Sequence, residues 1–415
     1  MELKRVVVTG IGAITPIGNN VQDLWKSLES GKSGARPITH FDASKFKTQF
    51  ACEVKDYDPL DYFDRKEVRK LDLFAQYALV STEEAMQMSK LDLEAVNRDR
   101  FGVIWGAGIG GLKTFQEECL AFGQGDGTPR FNPFFIPKMI ADIAPGNISI
   151  KYGLRGPNFT TVSACASSTN AIIDAATYIR LGKIDLCVAG GSEAAVCEAG
   201  IGGFNAMHAL SKRNDEPETA SRPFDKGRDG FVLGEGGGCL ILEEYEHAKA
   251  RGATIYAEVA GCGLSADAHH MTAPHPEGLG AKNVMRNALE DANFKVEDVD
   301  YINVHGTSTP LGDIAESKAI REVFGAHAYQ LNISSTKSMT GHLLGAAGII
   351  EAIACIRAIR SGIVPPTINH FEDDEAFDSK LNFTFNQAQK REVRAAISNT
   401  FGFGGHNASV IFKKI

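Results

Sequence analysis

Among its eight cysteines, at 52, 119, 165, 187, 197, 239, 262 and 355, the sequence has no C-x-x-C pair. That removes the usual signature of a zinc knuckle or a dithiol redox centre. A chain of 415 residues is also too large to depend on disulfide staples. Most of these thiols are therefore expected to pack as small buried hydrophobes, leaving one or two for chemistry. Excess positive charge is missing as well. With 43 Lys and Arg against 51 Asp and Glu, the net charge is −8, the wrong sign for broad nucleic-acid binding. No stretch approaches the roughly 20 apolar residues of a membrane-spanning helix. The opening Met1-Glu2-Leu3-Lys4-Arg5 runs straight into Val6-Val7-Val8-Thr9-Gly10, without the apolar core and cleavage site of a secretory leader. A cytoplasmic protein that binds neither membrane nor nucleic acid is expected.

Two nucleotide-like motifs are incomplete. Gly10-x-Gly12 follows an apolar run, but Thr15 stands where the third glycine of a dinucleotide fingerprint belongs. Gly106-Ala107-Gly108-Ile109-Gly110-Gly111 has no convincing ribose-binding acid after it. His269, His270 and His275 share one loop, and adjacent histidines rarely converge on one ion.

What the sequence has is alternation. Apolar strand-like runs at Val6–Val8, Gly102–Trp105, Leu186–Ala189, Cys239–Leu242, Tyr256–Ala260, Tyr301–Val304, Ala395–Ser398 and Ser409–Phe412 are separated by helical patterns. Glycine turns punctuate them, as in an α/β protein with buried sheets. A faint repeat accompanies this. Ile172-Ile173-Asp174-Ala175 recurs as Ile349-Ile350-Glu351-Ala352, an offset of 349 − 172 = 177 that also carries Cys165 onto His342. Val8-Thr9-Gly10-Ile11-Gly12 echoes Val259-Ala260-Gly261-Cys262-Gly263, and Trp105-Gly106 echoes His305-Gly306. Two similar halves are expected, 1–252 carrying the cysteine and 253–415 the histidines, with duplicated helix starts meeting at a pseudo-twofold centre.

Chemistry concentrates in four places. Cys165 lies in Val162-Ser163-Ala164-Cys165-Ala166-Ser167 just before an amphipathic helix bearing Ile172, Ala175, Ala176 and Ile179. Unpaired N–H groups and the helix dipole there favour thiolate, the nucleophilic form. The competing reading is a buried structural cysteine. His305 opens the turn His305-Gly306-Thr307-Ser308-Thr309 at the end of an apolar run, and His342 sits in a glycine-rich surround. A lone histidine is more often structural; the offset match to Cys165 favours catalysis. Lys337 stands alone in an uncharged stretch, either solvated or buried against Glu316 or Asp313. Asn399-Thr400-Phe401-Gly402-Phe403-Gly404-Gly405 can supply amide donors to an oxyanion and swing a ring as a gate, or be a plain turn.

Together, Ser163-Ala164-Cys165, His305 through Thr309, Lys337 through His342 and Gly402-Phe403-Gly404-Gly405 resemble the β-ketoacyl-acyl carrier protein synthases. Ser221-Arg222-Pro223-Phe224-Asp225 and Arg228 through Gly236 extend the resemblance over essentially the whole chain. It implies a thiolase-like αβαβα fold of two duplicated halves. It also implies decarboxylative Claisen condensation of malonyl carrier protein with an acyl chain on Cys165, in fatty acid elongation. By resemblance, His305 and His342 stabilise the enolate as neutral donors, and the amides of Cys165 and Phe403 hold the oxyanion. Lys337 tunes local electrostatics.

Further roles come from the same source. Thr272, Thr307 and Thr309 would hold the carrier's phosphopantetheine, and Phe401 would join the substrate contacts. Ile109 and Phe403 would gate the acyl tunnel, with Phe134 contributed across a homodimer. Lys66, Arg69 and Lys70 could meet the acidic acyl carrier protein or simply be a solvated helix. Asn303, Glu351, Ser398 and Asn399 match a structural monovalent-cation site; no other cofactor is required. At His208 many relatives carry a carrier-contacting arginine, so this chain departs there. Thiolases use a second cysteine in the terminal glycine loop, where this chain has His406. Initiating synthases replace the second histidine with asparagine, and non-catalytic chain-length partners typically lack the nucleophile. Polyketide ketosynthases carry the same triad, and motifs alone do not separate them.

Overall fold

The computed structural model describes residues 3–415; Met1 and Glu2, which open the stretch read above as leaderless, lie outside the described residues. Ten strands form the main sheet: β1 (Val6–Ile14), β2 (Phe101–Gly106), β3 (Asn158–Thr161), β4 (Leu186–Glu193), β5 (Gly236–Glu244), β6 (Ala257–Ala266), β7 (Tyr301–Asn303), β8 (Asn332–Ser334), β9 (Ala395–Gly402) and β10 (His406–Lys413). Outward from the centre the orders are β1-β5-β4-β2-β3 and β6-β10-β9-β7-β8, so each strand reappears five labels later. Directions repeat too: β1–β5–β4 and β6–β10–β9 are antiparallel, and the outer pairs are parallel. Among the described residues, the strand pairings that join the two sets are Val7↔Glu258 and Val8↔Ala257.

Five helices fix the layers: α1 (Leu73–Ser89), α2 (Ser167–Arg180), α3 (Leu279–Ala292), α4 (Pro310–Phe324) and α5 (Ala347–Ser361). α2 and α5 lie between the two strand sets, packing Ile172, Ile349 and Ile353 with Val8, Leu240 and Val410. α1 covers the outer face of the first set, placing Phe74 and Tyr77 on Trp105, Val188 and Ile241. α3 and α4 cover the second, placing Val284 and Ile320 on Ile302, Ile397 and Ile411. Neighbouring strand residues alternate between cores: Ile241 faces α1 while Leu240 and Leu242 face the centre. With both faces buried, the strands read as continuous apolar runs. This is the expected αβαβα thiolase-like arrangement.

Glycine is required where strands meet the outer helices. A Cβ at Gly12 would lie 1.9 Å from the Ser81 carbonyl oxygen, and one at Gly263 would lie 2.1 Å from that of Val284. The echoed Gly-x-Gly pairs therefore do the same job in each half.

The longer echo needs correction. α2 starts at Ser167 and α5 at Ala347, an offset of 347 − 167 = 180 rather than 177. Each follows a 3₁₀ turn, Ala164–Ala166 or Leu344–Ala346, opened by a non-glycine residue at positive φ, Ala164 at 51° and Leu344 at 47°. Cys165 thus corresponds to Gly345, and His342 lies three residues upstream. A three-residue slip nearly preserves a helical apolar face, which is how the shifted match arises.

Candidate active site

Cys165 occupies the 3₁₀ turn at the inner end of α2. Its backbone is pressed against the last residue of β9: a Cβ on Gly402 would stand 2.7 Å from the Ser163 carbonyl oxygen and 3.2 Å from the Cys165 nitrogen. His305 leaves the end of β7, where the N–H groups of His305 and Gly306 donate to Glu316 at 2.9 and 2.8 Å. His342 is held on both sides of its peptide: its N–H donates to Val232 O at 2.7 Å and its carbonyl accepts from Gly234 at 2.9 Å. The Phe231 ring meets the His342 ring edge-on at 5.3 Å.

These turns bring three groups together. His342 Nε2 lies 3.0 Å from Cys165 Sγ, and the thiol and two imidazoles offer atoms all within 4.8 Å of one another. The imidazoles stand 5.4 Å apart, nearly perpendicular, with Phe401 5.5 Å from His305. Neither Nδ1 has a hydrogen-bond partner among the described residues.

Burial sets the protonation states. Both imidazoles are held well below the ordinary histidine range, first by desolvation and then by the nearby Lys337 charge. At neutral pH each is uncharged and carries one N–H. Cys165 departs from its expected thiolate. Desolvation pushes its thiol up to about 12, against the Lys337 charge and the Phe403 N–H that favour the anion. Sequence displays the helix start but not the dry surroundings that outweigh it. Cys165 therefore rests as a thiol with an imidazole in contact.

Lys337 is buried and paired with Glu351, which replaces the expected partners. Glu316 is occupied by the His305 and Gly306 amides. Asp313 accepts from the Phe224 N–H at 3.0 Å and faces Arg228 at 3.8 Å.

A cavity of about 660 Å³ opens onto the triad. Ile109, Phe401, Phe403, Thr272, Thr307 and Thr309 all line it, as does His208. Thr307 and Thr309 join their hydroxyls at 3.0 Å. Phe134 is not on its wall; it is exposed, with Lys70 Nζ 5.7 Å from its ring. Lys66, Arg69 and Lys70 are exposed on and beside the short helix Arg65–Val68. Asp64 and Glu67 form that helix's capping box, and Asp64 also feels the charges of Lys66 and Lys70.

The four residues expected to hold a cation are buried, and Asn303 Oδ1, Glu351 Oε2 and Ser398 Oγ have no hydrogen-bond partner among the described residues. Asn399 Oδ1 already accepts from Ser409 Oγ at 2.6 Å. Orphaned buried oxygens are costly, and three together fit a hard, oxygen-preferring cation. Sequence reading passed over Glu193, whose carboxylate collects backbone amides from the turns on either side of the triad. The available signal was a lone acid closing the otherwise uncharged strand β4.

Comparison with known proteins now adds to the geometry. The β-ketoacyl synthase N-terminal domain matches residues 3–248, and the β-ketoacyl synthase C-terminal domain matches 256–371. The chain belongs to the β-ketoacyl synthase family. It is 50% identical over 415 residues, 100% of both chains, to a Coxiella burnetii protein named 3-oxoacyl-[acyl-carrier-protein] synthase 2. A β-ketoacyl synthase structure from Burkholderia phymatum matches with a TM-score of 0.92 at 36% identity, covering 99% of this chain and 100% of that one. A type II PKS ketosynthase, solved with its acyl-carrier protein and bound to a hexaketide, matches with a TM-score of 0.90 at 35% identity over 100% of both chains. Membership places the chain among the acyltransferases that condense carbon with carbon. No described helix is long and apolar enough to cross a membrane.

Proposed function

We propose that the chain is a 3-oxoacyl-acyl carrier protein synthase of the elongating type, adding two carbons from malonyl carrier protein to an acyl chain held on Cys165 in fatty acid synthesis. The observation that carries this reading is one thiol and two neutral imidazoles converging within 4.8 Å at the wall of a large cavity.

In the first half-reaction Cys165 Sγ attacks the acyl thioester, with the oxyanion facing the amides of Cys165 and Phe403. The thiol proton ends on the departing phosphopantetheine sulfur, and His342, 3.0 Å away, is the base within reach during transfer. Malonyl carrier protein then binds with its thioester oxygen toward His305 and His342. Its carboxylate leaves as CO2, and the electron pair left behind forms an enolate held by the two imidazole N–H groups. Neutral imidazoles suit this step because they donate without protonating the carbanion. The carbon attacks the Cys165 thioester, the tetrahedral intermediate collapses, and the freed thiolate takes up a proton. One acyl thioester, one malonyl thioester and one proton thus give a 3-oxoacyl thioester, CO2 and free carrier. Burial first, and then the positive charge of Lys337, paired with Glu351, keep both histidines neutral.

Thr272, Thr307 and Thr309 would bind the phosphopantetheine arm, Phe401 the substrate, and Lys66, Arg69 and Lys70 the acidic carrier. Ile109 and Phe403 would gate the chain. A second copy would add along the free edge of β3, where Val162, just past the strand, is 62% exposed and Ile150, on the helix Ile143–Tyr152, is 80% exposed, and apolar surface calls for cover. Phe134 would then reach the partner's cavity. Asn303, Glu351, Ser398 and Asn399 would hold a monovalent cation that braces β7, β9 and α5 and takes no part in the chemistry. The cytoplasm is the proposed compartment, and 1–252 with 253–415 the proposed duplicated halves.

The test is direct. The purified chain, given acyl- and malonyl-carrier protein, is expected to yield a product two carbons longer with one CO2 per product. Hydrolysis of both thioesters without a new carbon bond would contradict the proposal.

A further inference from the structure

Glu193 closes β4, buried beside the triad but absent from the cavity wall. Its carboxylate receives four backbone N–H groups. Oε2 accepts from Gly108 at 2.7 Å and Gly345 at 3.1 Å; Oε1 accepts from Ile109 at 3.1 Å and Gly110 at 3.0 Å. These donors belong to two turns far apart in sequence, one following β2 and one following His342. Each turn sends one apolar side chain into the cavity, Ile109 from the first and Leu344 from the second. Leu344 does so from a left-handed backbone, φ 47°, which a leucine adopts only when its surroundings hold it there.

The two turns touch over the carboxylate. A Cβ on Gly345 would lie 2.1 Å from the Gly108 nitrogen, and one on Gly108 would lie 2.7 Å from Glu193 Oε2. Glycine at both positions lets one acid hold both backbones. Sites that put several N–H groups on a buried carboxylate fix backbone geometry, because a turn that moves leaves its buried donors without an acceptor.

We propose that Glu193 is a positioning residue that determines acyl-chain preference, by clamping Ile109 and Leu344 at a set separation beside Cys165. This rests on reading the cavity as the acyl chamber. Glutamine is the informative substitution. Its single carbonyl can serve one pair of donors, while its NH2 confronts the other: in the Oε2 position it turns away Gly345, the second turn's donor, together with Gly108, and in the Oε1 position it turns away Ile109 and Gly110 of the first turn.

The experiment uses the full chain and acyl carrier proteins graded from six to sixteen carbons. Acylation of Cys165 is followed by intact mass, malonyl decarboxylation in parallel, and folding by thermal melting. Glu193→Gln is expected to change the long-to-short ratio of acylation rates by about tenfold, with malonyl decarboxylation kept within about threefold. On an Ile109→Ala background the same substitution is expected to change that ratio less than about twofold, because with one of the two clamped side chains gone no separation is left to set. An unchanged ratio, an equal fall at all lengths together with decarboxylation, or full additivity with Ile109→Ala would each overturn the proposal. Should Glu193→Gln fail to fold, Glu193→Asp, which keeps the charge but withdraws it by one methylene, is judged by the same ratio. Wild-type chain that accepts no acyl group at any length would overturn the acyl-chamber reading, and the clamp with it.

Discussion

His342 Nε2 and Cys165 Sγ lie 3.0 Å apart, in surroundings that keep both groups uncharged. Cys165 is pushed up to about 12 by burial and His342 is held low by the same cause. A thiolate–imidazolium pair would invert both. The distinction can be read in alkylation kinetics. Below its pKa, a thiol gains about tenfold in thiolate per pH unit, so iodoacetamide labelling of Cys165 should keep rising from pH 6 to pH 10. A plateau beginning near neutrality would mean a preformed ion pair.

Separating the two histidines from the cysteine gives a second prediction. His305→Ala and His342→Ala each remove one donor to the enolate, costing about 2.7–4 kcal/mol of barrier, or 10²–10³ in rate. Malonyl decarboxylation should fall by that factor while some acylation of Cys165 survives, visible as accumulated acyl-enzyme by mass spectrometry. Wild-type decarboxylation by either variant would remove the histidines from the mechanism.

The Lys337–Glu351 pair predicts an asymmetry in stability. Removing one partner leaves the other charge buried and alone, a loss of about 3–5 kcal/mol. Lys337→Met and Glu351→Leu should each lower the melting temperature sharply, and the double substitution should recover part of it. Strict additivity would show that the two charges do not depend on each other.

The terminal loop makes a prediction about order of binding. Gly404 and Gly405 adopt φ of 85° and 75°, and Gly402 leaves no room for a side chain against Ser163. Gly402→Val should therefore slow acylation by displacing the Cys165 turn. Phe403→Ala should raise malonyl decarboxylation relative to condensation by opening the gate. If both variants keep the wild-type ratio, the loop is a structural turn only.

The fold was legible where burial writes itself into composition. Eight strands of the main sheet read as apolar runs because both their faces are covered. The two missed, β3 and β8, are the sheet ends, and their Asn158-Phe159-Thr160-Thr161 and Asn332-Ile333-Ser334 carry the polarity of short edge strands. Local motifs picked out Cys165 and His305, which the fold brings together with His342; His342 itself was singled out partly by an offset match that the structure shifts by three residues. The partner of Lys337 was not legible, because Glu351 reaches it from α5 rather than Asp313 or Glu316 from α4. The lone acid Glu193 stood in plain view, but its role did not, for a related reason: its donors converge only after three chain segments meet. The ionisation of Cys165 was misread because dryness belongs to the fold and not to any local stretch.

The central claim is that Cys165 carries the acyl group that malonyl carbon attacks. The decisive measurement is intact-protein mass spectrometry of wild type and Cys165→Ala, first with acyl carrier protein and then with malonyl carrier protein. Wild type should gain one acyl mass, located to the Cys165 peptide. It should lose that mass on malonyl addition, as CO2 and a 3-oxoacyl carrier two carbons longer appear. Cys165→Ala should gain no acyl mass and make no product, yet still release CO2 from malonyl carrier protein. Elongated product from the alanine variant, or a wild-type acyl mass that malonyl carrier protein leaves in place, would contradict the account.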